Sequence, residues 1–217
     1  MRIVKQSITD QLYIGLKEEI IRQKIPYGAQ INPKEIAQEY DVSVMPVRDA
    51  LTRLASYGLV TIKPRKGFFV KVFTEREIRE IFEMRMLLET YCMEHYFENI
   101  DKASVERLKA AMETCDHNLS REQFDEMDEN LHDLLIAASK NQFLIASYSR
   151  VRDIIIFIRH LDLRRMDISH EEHKELVDVI LQNDKSAALA CLKLHLDSVR
   201  DSTLRELKKH EPVANLS

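Results

Sequence analysis

Glycine, proline and cysteine are all scarce in this chain of 217 residues. It has 4 Gly and 5 Pro, too few for a loop-rich or disordered protein, whereas 45% of its residues are hydrophobic and 31% are charged. The composition therefore predicts a soluble, mainly α-helical protein. The 3 cysteines lie far apart and form no CxxC pair, so the sequence indicates neither a disulfide framework nor a thiolate metal site.

Long apolar runs are also missing. The longest one, residues 154–158, is far shorter than the ~20 residues that a helix needs to cross a bilayer. The N-terminal stretch MRIVKQSITD lacks the apolar core of a signal peptide. We therefore expect a cytoplasmic protein that has no membrane partner.

Acidic and basic residues are unevenly distributed along the chain, which is long enough for two domains. Residues 1–72 contain 12 Lys and Arg against 7 Asp and Glu, a net charge of +5, whereas residues 73–217 contain 20 against 29, a net charge of −9. A basic domain joined to an acidic one indicates that a polyanion binds only the first. The alternative is chance unevenness between two soluble domains.

Three helices are predicted in the basic half. Apolar residues recur at four-residue spacing in residues 8–23, which is typical of an amphipathic helix. Asn32, followed by proline, is a good N-cap for a second helix that runs to about residue 40. Ser43 is a good N-cap for a third helix that stops at Gly58. The second and third helices, joined by a short turn, predict a helix-turn-helix.

A β-hairpin is predicted directly after these helices. Residues 59–62 and 68–72 are strand-like, and the second run alternates apolar residues. The turn between them, KPRKG, is strongly basic. This order of elements predicts a wing beside the helix-turn-helix. The basic half is therefore predicted to be a winged DNA-binding domain.

The third helix contains one strong candidate for reading DNA bases. In the major groove, Arg48 could hold guanine O6 and N7 in a bidentate pair worth roughly 1 to 3 kcal/mol of discrimination. The helix N-terminus at Ser43 could bind a phosphate, and Lys34, Arg65 and Lys66 could add backbone or minor-groove contacts. The alternatives are that Arg48 pairs with a surface acid and that the basic turn protects a sheet edge.

The segment VSVMPVRDALTRLASYGLV and the wing that follows it resemble the winged helix-turn-helix of the GntR superfamily. The resemblance covers about residues 6–72 and implies a homodimer on a double-stranded DNA operator. One departure is Val44, where the family often has arginine, so the operator sequence of relatives does not carry over. The residues that this resemblance places on the operator are Lys34, Ser43, Met45, Pro46, Arg48, Arg65, Lys66 and Gly67.

The acidic half is predicted to contain about six helices and four candidate metal ligands. Asp128 and His132 are four residues apart, so they lie on one helical face, about 40° apart around the axis. His173 opens a later helix, and His195 lies in the last long one. A carboxylate with three imidazoles suits Zn(II), Ni(II), Mn(II) or Fe(II). The spacing leaves open whether these helices converge.

The segments FDEMDENLHDLLIAASKNQFL and EEHKELVDVILQNDKSAALACLKLHL resemble the signatures of the FCD effector domain, the FadR-like branch of the GntR superfamily. This resemblance spans roughly residues 74–205 and implies that residues 73–217 form an all-helical effector-binding and dimerisation domain. It further implies one divalent transition metal ion per chain, held by Asp128, His132, His173 and His195. His170 is an alternative ligand on the face of His173. The histidines that match no ligand position are His95, His117, His160 and His210.

The segment FEMRMLLE resembles the start of the same effector domain and makes Arg85 a candidate for binding an effector carboxylate. Asn141 and Arg152 are weaker candidates. The alternative for Arg85 is an ion pair with Glu89 at i+4. The resemblance implies a transcription regulator, typically a repressor, whose DNA affinity responds to a small organic acid bound beside the metal.

Two other functions stay open at the level of sequence. One is a metal-dependent hydrolase of the helical HD type, because His132 and Asp133 form its dipeptide. Against it, Asp133 points about 100° away from His132 around the helix, and His117, the only histidine shortly upstream, lies just fifteen residues before His132. The other is a metal-free domain that serves only for dimerisation.

Overall fold

The structure is a computed structural model, which describes residues 7–115, 119–160, 162 and 165–210. His117 lies outside the described residues. The chain separates into two compact units between Phe73 and Thr74, one residue after the expected boundary. Each unit is described by itself.

The first unit contains three helices whose bounds follow from their caps. Asn32 accepts a hydrogen bond from the Lys34 amide at the start of the second helix. Ser43 occupies the N-cap of the third helix, but its side chain makes no capping hydrogen bond. The predicted N-cap position is therefore confirmed, although the hydrogen bond that a serine usually makes there is missing. The helices are α1 Ile8–Ile21, α2 Pro33–Glu39 and α3 Val44–Tyr57.

A small antiparallel sheet completes the first unit. Its strands are β1 Gln30–Ile31, β2 Val60–Lys63 and β3 Gly67–Val70, in the order β1-β3-β2. The hairpin β2–β3 is the predicted wing, although β3 ends at Val70 and Val72 is 54% exposed. The sequence did not predict β1, because two residues are too few for an alternating pattern.

The faces of α1 and α3 that carry apolar residues pack against each other. Leu16 and Ile20 of α1 and Leu51 and Leu54 of α3 are fully or almost fully buried. The helix α3 ends at Gly58, whose φ of 100° lies in the left-handed region that favours glycine. This core fixes α3 with its opposite face exposed.

The described part of the second unit consists of six α-helices and one short 3-10 helix, as many α-helices as the sequence predicted. The helix α4 packs against α9, α7 and α6, and α8 packs against α9, α5 and α6. None of the helices in the described residues is long and apolar enough to span a bilayer. The bounds are α4 Glu75–Tyr96, the 3-10 helix Phe97–Asn99, α5 Lys102–Cys115, α6 Arg121–Ala137, α7 Gln142–Arg159, α8 Met166–Leu181 and α9 Lys185–His210.

The core of the second unit is aliphatic along α6, α8 and α9. Leu131, Leu176, Val177 and Leu192 are completely buried in one cluster. The polar residues of the same inward faces are therefore brought together in the buried interior. The mainly helical fold with an N-terminal winged helix-turn-helix is confirmed.

Candidate functional site

Three histidines from three helices meet inside the second unit. His132 of α6, His173 of α8 and His195 of α9 each offer a ring nitrogen, and these nitrogens lie within 4.8 Å of one another. The Nε2 atoms of His173 and His195 are 3.2 Å apart. All three side chains are at most 2% exposed. Packing of α6, α8 and α9 thus brings together residues whose convergence the sequence left open.

Asp128 lies at the same place, one helical turn before His132. Its Oδ1 atom is 3.6 Å from Nε2 of His173 and 4.0 Å from Nε2 of His132. Its Oδ2 atom is ion-paired with Nη1 of Arg159. Burial alone would raise the pKa of Asp128, but Arg159 and the nearby histidines more than offset this, and the pKa lies well below its ordinary value. The carboxylate is therefore ionised, with one oxygen facing the histidines.

Two of the three histidines, His173 and His195, are held in the neutral form that binds a cation. Burial lowers the pKa of both His173 and His195 well below the ordinary value, and neighbouring histidines lower both further. A neutral imidazole keeps a lone pair on one ring nitrogen. The Nε2 atom of His132 is buried and has no hydrogen-bond partner among the described residues. This donor set, with an unpartnered buried nitrogen at its centre, fits a transition metal ion.

Two glutamates that were not predicted as part of the site orient these rings. The Nδ1 group of His132 donates to Oε2 of Glu89 over 2.7 Å, and Nδ1 of His195 donates to Oε2 of Glu172 over 2.7 Å. A carboxylate on the far nitrogen is the usual outer partner of a metal-binding histidine, because it fixes the tautomer and the ring orientation. Glu172 directly precedes the candidate ligand His173 in the sequence, and this position was the one hint of its role. Glu89 was expected only as an ion-pair partner of Arg85.

Glu89 is the centre of a buried network that includes Arg85. Its Oε1 atom accepts from Nε of Arg85 over 2.7 Å and from the hydroxyl of Tyr148 over 2.9 Å. Burial would raise the pKa of Glu89, but Arg85 and His132 together bring it down to about 2. The ion pair of Arg85 with Glu89, the alternative drawn from the sequence, is thus present, and Arg85 is only 2% exposed.

The other two effector candidates are committed to local partners. Asn141 is exposed, and its side-chain oxygen caps α7 by accepting from the amides of Phe143 and Leu144. Arg152 forms ion pairs with Asp133 and Asp153. Neither side chain is brought to the histidine cluster by these contacts. Asp133, which the hydrolase alternative requires beside His132 on the metal, is engaged by Arg152 instead.

The remaining buried histidines stay outside the cluster in the described part of the chain. His170 is buried on α8, but it does not belong to the group of converging ring nitrogens. His160, at the end of α7, lies with its Nε2 atom 2.9 Å from Oδ2 of Asp125. Of the two buried histidines of α8, only His173 therefore lies in the cluster.

The candidate DNA-binding residues form an exposed surface on the first unit. Arg48 is exposed and has no carboxylate partner among the described residues, and its guanidinium carbon lies 5.7 Å from the centroid of the Phe68 ring in the wing. Met45 is 64% exposed on the same helix. The remaining candidates are exposed, namely Lys34, Ser43, Arg65 and Lys66, or half-buried, namely Pro46 and Gly67.

A winged helix-turn-helix joined to a helical unit with a buried histidine cluster is the architecture of a two-part transcription regulator. The chain belongs to the bacterial regulatory proteins of the gntR family, whose model matches residues 8–70, and it carries an FCD domain, whose model matches residues 80–198. Both family resemblances noted in the sequence are thereby confirmed. The chain is a transcriptional regulator, and neither family description is that of an enzyme.

Curated relatives match over most of their length. The chain is 28% identical to the Nta operon transcriptional regulator of Aminobacter aminovorans over 178 residues, 79% of this chain and 85% of the relative. It is 26% identical to the gluconate operon transcriptional repressor of Bacillus subtilis (strain 168) over 208 residues, 91% of this chain and 85% of the relative.

A solved FCD domain provides the comparison for the histidine cluster. The FCD domain of TM0439, described as a transcriptional regulator, is 36% identical and matches 64% of this chain and 100% of its own length. It has been solved metal-free, with a TM-score of 0.61, and Zn²⁺-bound, with a TM-score of 0.60. A domain of this kind can therefore hold zinc.

Proposed function

We propose that this protein is a sequence-specific DNA-binding repressor that acts as a homodimer and responds to a small carboxylate-bearing metabolite. The metabolite binds beside a metal ion in the FCD domain and changes the affinity of the winged domains for the operator. The observation that carries this proposal is the cluster of His132, His173 and His195, whose ring nitrogens converge in the interior of a regulator's second unit. The gluconate operon relative is named a repressor, which supports repression rather than activation.

In this proposal the metal is held by Nε2 of the three histidines and by Oδ1 of Asp128. Nitrogen and carboxylate ligands suit Zn(II), Ni(II), Mn(II) and Fe(II), and the zinc-bound relative favours Zn(II). When bound, the ion supplies a Lewis-acidic centre that attracts a carboxylate oxygen. Glu89 and Glu172 keep the Nδ1 hydrogens of His132 and His195 in place, so that the Nε2 lone pairs face the centre.

Arg85 is the proposed effector-binding residue of this chain. Its Nε group is engaged with Glu89, but a guanidinium has further N–H donors that can grip a carboxylate. Its positive charge acts on Asp128, His173 and His195, which places it close to the cluster. Asn141 and Arg152, which are bound elsewhere, are not part of the proposed effector site.

On the DNA side, Arg48 is the proposed base-reading residue. It extends from the exposed face of α3 and has room for a bidentate contact to guanine. The N-terminus of α3 at Ser43, the side chain of Lys34 and the wing residues Arg65 and Lys66 are proposed to contact phosphates or the minor groove. A homodimer would place two such surfaces on two half-sites.

Coupling between the two units requires only that the effector binds two arrangements of the dimer with different affinity. The ratio of these affinities sets how far the operator affinity changes, and the coupling is reciprocal. Operator DNA is therefore expected to change the affinity for the effector by the same factor.

The metal part of the proposal is tested by elemental analysis of the full chain purified without chelator. We expect about one transition metal ion per chain, and His195→Ala should lower the metal affinity strongly because it removes one of the few ligands. The control His95→Ala changes an exposed histidine of α4 and should keep the metal. Equal metal content in the wild type and in His195→Ala would contradict the site.

The DNA part is tested with operator sequences selected from a random DNA pool. Arg48→Ala should weaken binding by roughly 5-fold to 150-fold per half-site, which corresponds to ~1 to 3 kcal/mol for a bidentate contact, while the circular dichroism spectrum stays unchanged. The control Arg22→Ala removes an arginine that is ion-paired with Glu18 on α1. Unchanged specific binding by Arg48→Ala would remove it from the reading surface.

The effector class is tested by thermal-shift measurements with small organic acids, with and without a chelator. A ligand that binds only the folded state raises the apparent stability, by ~2.7 kcal/mol at 100 times its Kd. We expect mono- or dicarboxylates to raise the unfolding temperature, and the chelator to reduce the effect. A panel in which no acid shifts the unfolding temperature would count against a carboxylate effector.

A further inference from the structure

The candidate ligand Asp128 has a buried neighbour, Arg159, to which the proposed function gives no role. Arg159 lies in the last turn of α7, and its side chain is only 12% exposed. Asp125 and Asp128 are three residues apart on α6, so they lie on the same helical face. One guanidinium therefore contacts two buried carboxylates of the same helix.

The two branches of the guanidinium are divided between these carboxylates. Nη2 of Arg159 donates to Oδ1 of Asp125, and Nη1 is ion-paired with Oδ2 of Asp128. A lysine presents a single point charge on a flexible stem, whereas the planar fork of arginine contacts two groups in a fixed geometry. The contact therefore fixes the orientation of the Asp128 carboxylate and compensates its charge.

Arg159 is itself held in place by its surroundings. Oδ2 of Asp125 lies 2.9 Å from Nε2 of His160, which fixes the carboxylate that Arg159 contacts. The guanidinium carbon of Arg159 lies 5.1 Å from the centroid of the Phe124 ring, an attractive cation–π contact. The Phe124 ring stacks in turn on His173, with centroids 5.9 Å apart and ring planes 11° apart. Arg159 therefore has little freedom to move away.

The contact with Arg159 leaves Asp128 one oxygen for a metal ion. Oδ1 is the atom that lies 3.6 Å from Nε2 of His173 and 4.0 Å from Nε2 of His132. With one nitrogen from each of the three histidines, the chain offers the four donor atoms that Zn(II) takes in tetrahedral sites. If both carboxylate oxygens turned to the ion, the site would become richer in oxygen and would suit Mn(II) better.

We propose that Arg159 is a positioning residue that restricts Asp128 to coordination through one oxygen and thereby favours a four-coordinate ion such as Zn(II) over Mn(II). This inference rests on the metal site of the proposed function and adds the residue that sets its coordination number. Arg159 acts through the far oxygen of Asp128 and does not touch the ion. Because it also compensates the charge of Asp125, the experiment has to separate the two contacts.

The test compares variants of the full chain that differ only at Arg159. In the reference variant Asp125→Asn, the guanidinium keeps Asp128 as its carboxylate partner. The double variant Asp125→Asn with Arg159→Gln removes the contact with Asp128 without depriving a charged Asp125 of its partner. Arg159→Met in the same background fills the space with an apolar side chain and serves as a second variant. Thermal unfolding of the metal-loaded proteins checks that all of them are folded.

The first measurement is the visible absorption spectrum of the chain loaded with Co(II), because four-coordinate Co(II) absorbs several times more strongly than Co(II) with more ligands. The reference should match the wild type, and both Arg159 variants should absorb several-fold less. In competition with a chelator, zinc affinity should fall by about 10-fold to 100-fold, the usual effect of losing an outer partner of a ligand. The loss for Mn(II) should be smaller, whereas a merely structural role of Arg159 would weaken both ions alike.

Equal Co(II) spectra in the reference and in both Arg159 variants would overturn the proposal, and so would an equal loss of affinity for Zn(II) and Mn(II). The control Arg76→Gln changes a side chain of α4 that is 86% exposed and should keep the wild-type spectrum. A spectral change in this control as large as that in the Arg159 variants would mean a general effect of charge.

The failure of this proposal can be distinguished from the failure of the proposed function. A wild-type chain that binds no metal would refute the metal site and, with it, the role of Arg159. A wild-type chain that binds zinc, together with Arg159 variants of unchanged spectrum and unchanged preference for zinc, would refute only the role of Arg159.

Discussion

Glu89 accepts three hydrogen bonds in the interior of the second unit, from Arg85, Tyr148 and His132. The side chain is completely buried, so its charge is tolerated only because Arg85 compensates it. The same carboxylate holds the Nδ1 hydrogen of His132. One residue therefore serves both the stability of the unit and the orientation of a candidate ligand.

The first prediction concerns this residue. Glu89→Gln keeps the shape of the side chain but leaves Arg85 buried without its counter-charge, and breaking such a pair costs about 3 to 5 kcal/mol. Zinc affinity should fall by about 10-fold to 100-fold, the usual effect of losing an outer partner of a metal ligand. The measurements are urea denaturation and zinc titration against a competing chelator.

Two companion variants separate orientation from folding. Tyr148→Phe removes only one hydrogen bond to Glu89 and should leave zinc affinity within about threefold of the wild type. Glu172→Gln alters the partner of His195 at a half-buried site, and should weaken zinc with a smaller loss of stability than Glu89→Gln. Wild-type zinc affinity in both glutamate variants would refute the orienting role.

At this scale residue spacing predicted only what lies within one helix, and the resemblance to the FCD domain supplied His173 and His195. Asp128 and His132 are four residues apart, and their side chains do face the same space. His173 and His195 join them through the packing of α6, α8 and α9, which no spacing encodes. Arg159 and Glu172 escaped notice because their partners are distant in sequence or on another helix. Their roles are set by tertiary contacts alone.

Caps explain most of the agreement between sequence and structure at the scale of elements. The predicted N-caps Asn32 and Ser43 both stand directly before a helix, because the following residues begin the apolar periodicity. The strand β1 was missed, since its two residues are defined only by pairing with Phe68 and Phe69 of β3. Short strands of this kind carry no local signal.

The two caps are predicted to differ in strength. Asn32→Ala removes the acceptor for the Lys34 amide and should destabilise α2 by about 1 kcal/mol. Ser43→Ala removes a hydroxyl without a capping bond and should change the stability of α3 by less than about 0.5 kcal/mol. Hydrogen exchange of the α2 and α3 amides in the full chain measures both effects.

The comparison of Ser43→Ala with Asn32→Ala also tests whether the Ser43 hydroxyl contacts DNA. If the Ser43 hydroxyl contacts the operator, Ser43→Ala should weaken operator binding although α3 stays intact. A destabilisation by Ser43→Ala as large as that by Asn32→Ala would show that the hydroxyl does cap α3 and would remove this distinction.

The whole molecule divides its chemistry between two units. The charge reversal along the sequence lies near the division at Phe73 and Thr74. The exposed arginines and lysines of the helix-turn-helix and wing belong to the first unit, and all four candidate metal ligands belong to the second. A perturbation of the metal should therefore act first on the second unit alone.

Metal removal is the corresponding prediction. A metal ion that binds only the folded state, at a free concentration of 100 times its Kd, stabilises that state by ~2.7 kcal/mol. The three histidines proposed to hold the ion lie on α6, α8 and α9. Chelator added to the zinc-loaded chain should speed hydrogen exchange of amides in these three helices, because their cross-link is lost. Amides of residues 8–70 should exchange at unchanged rates when no DNA is present.

His195→Ala provides the control for this experiment, because a chain that lacks one ligand has little bound metal to lose and should show a much smaller response to chelator. His95→Ala should respond like the wild type. Faster exchange in residues 8–70 would place the ion, or its stabilising effect, in the DNA-binding unit. A uniform response in both units would mean that the two unfold as one, and the metal would then stabilise the DNA-binding surface without any effector.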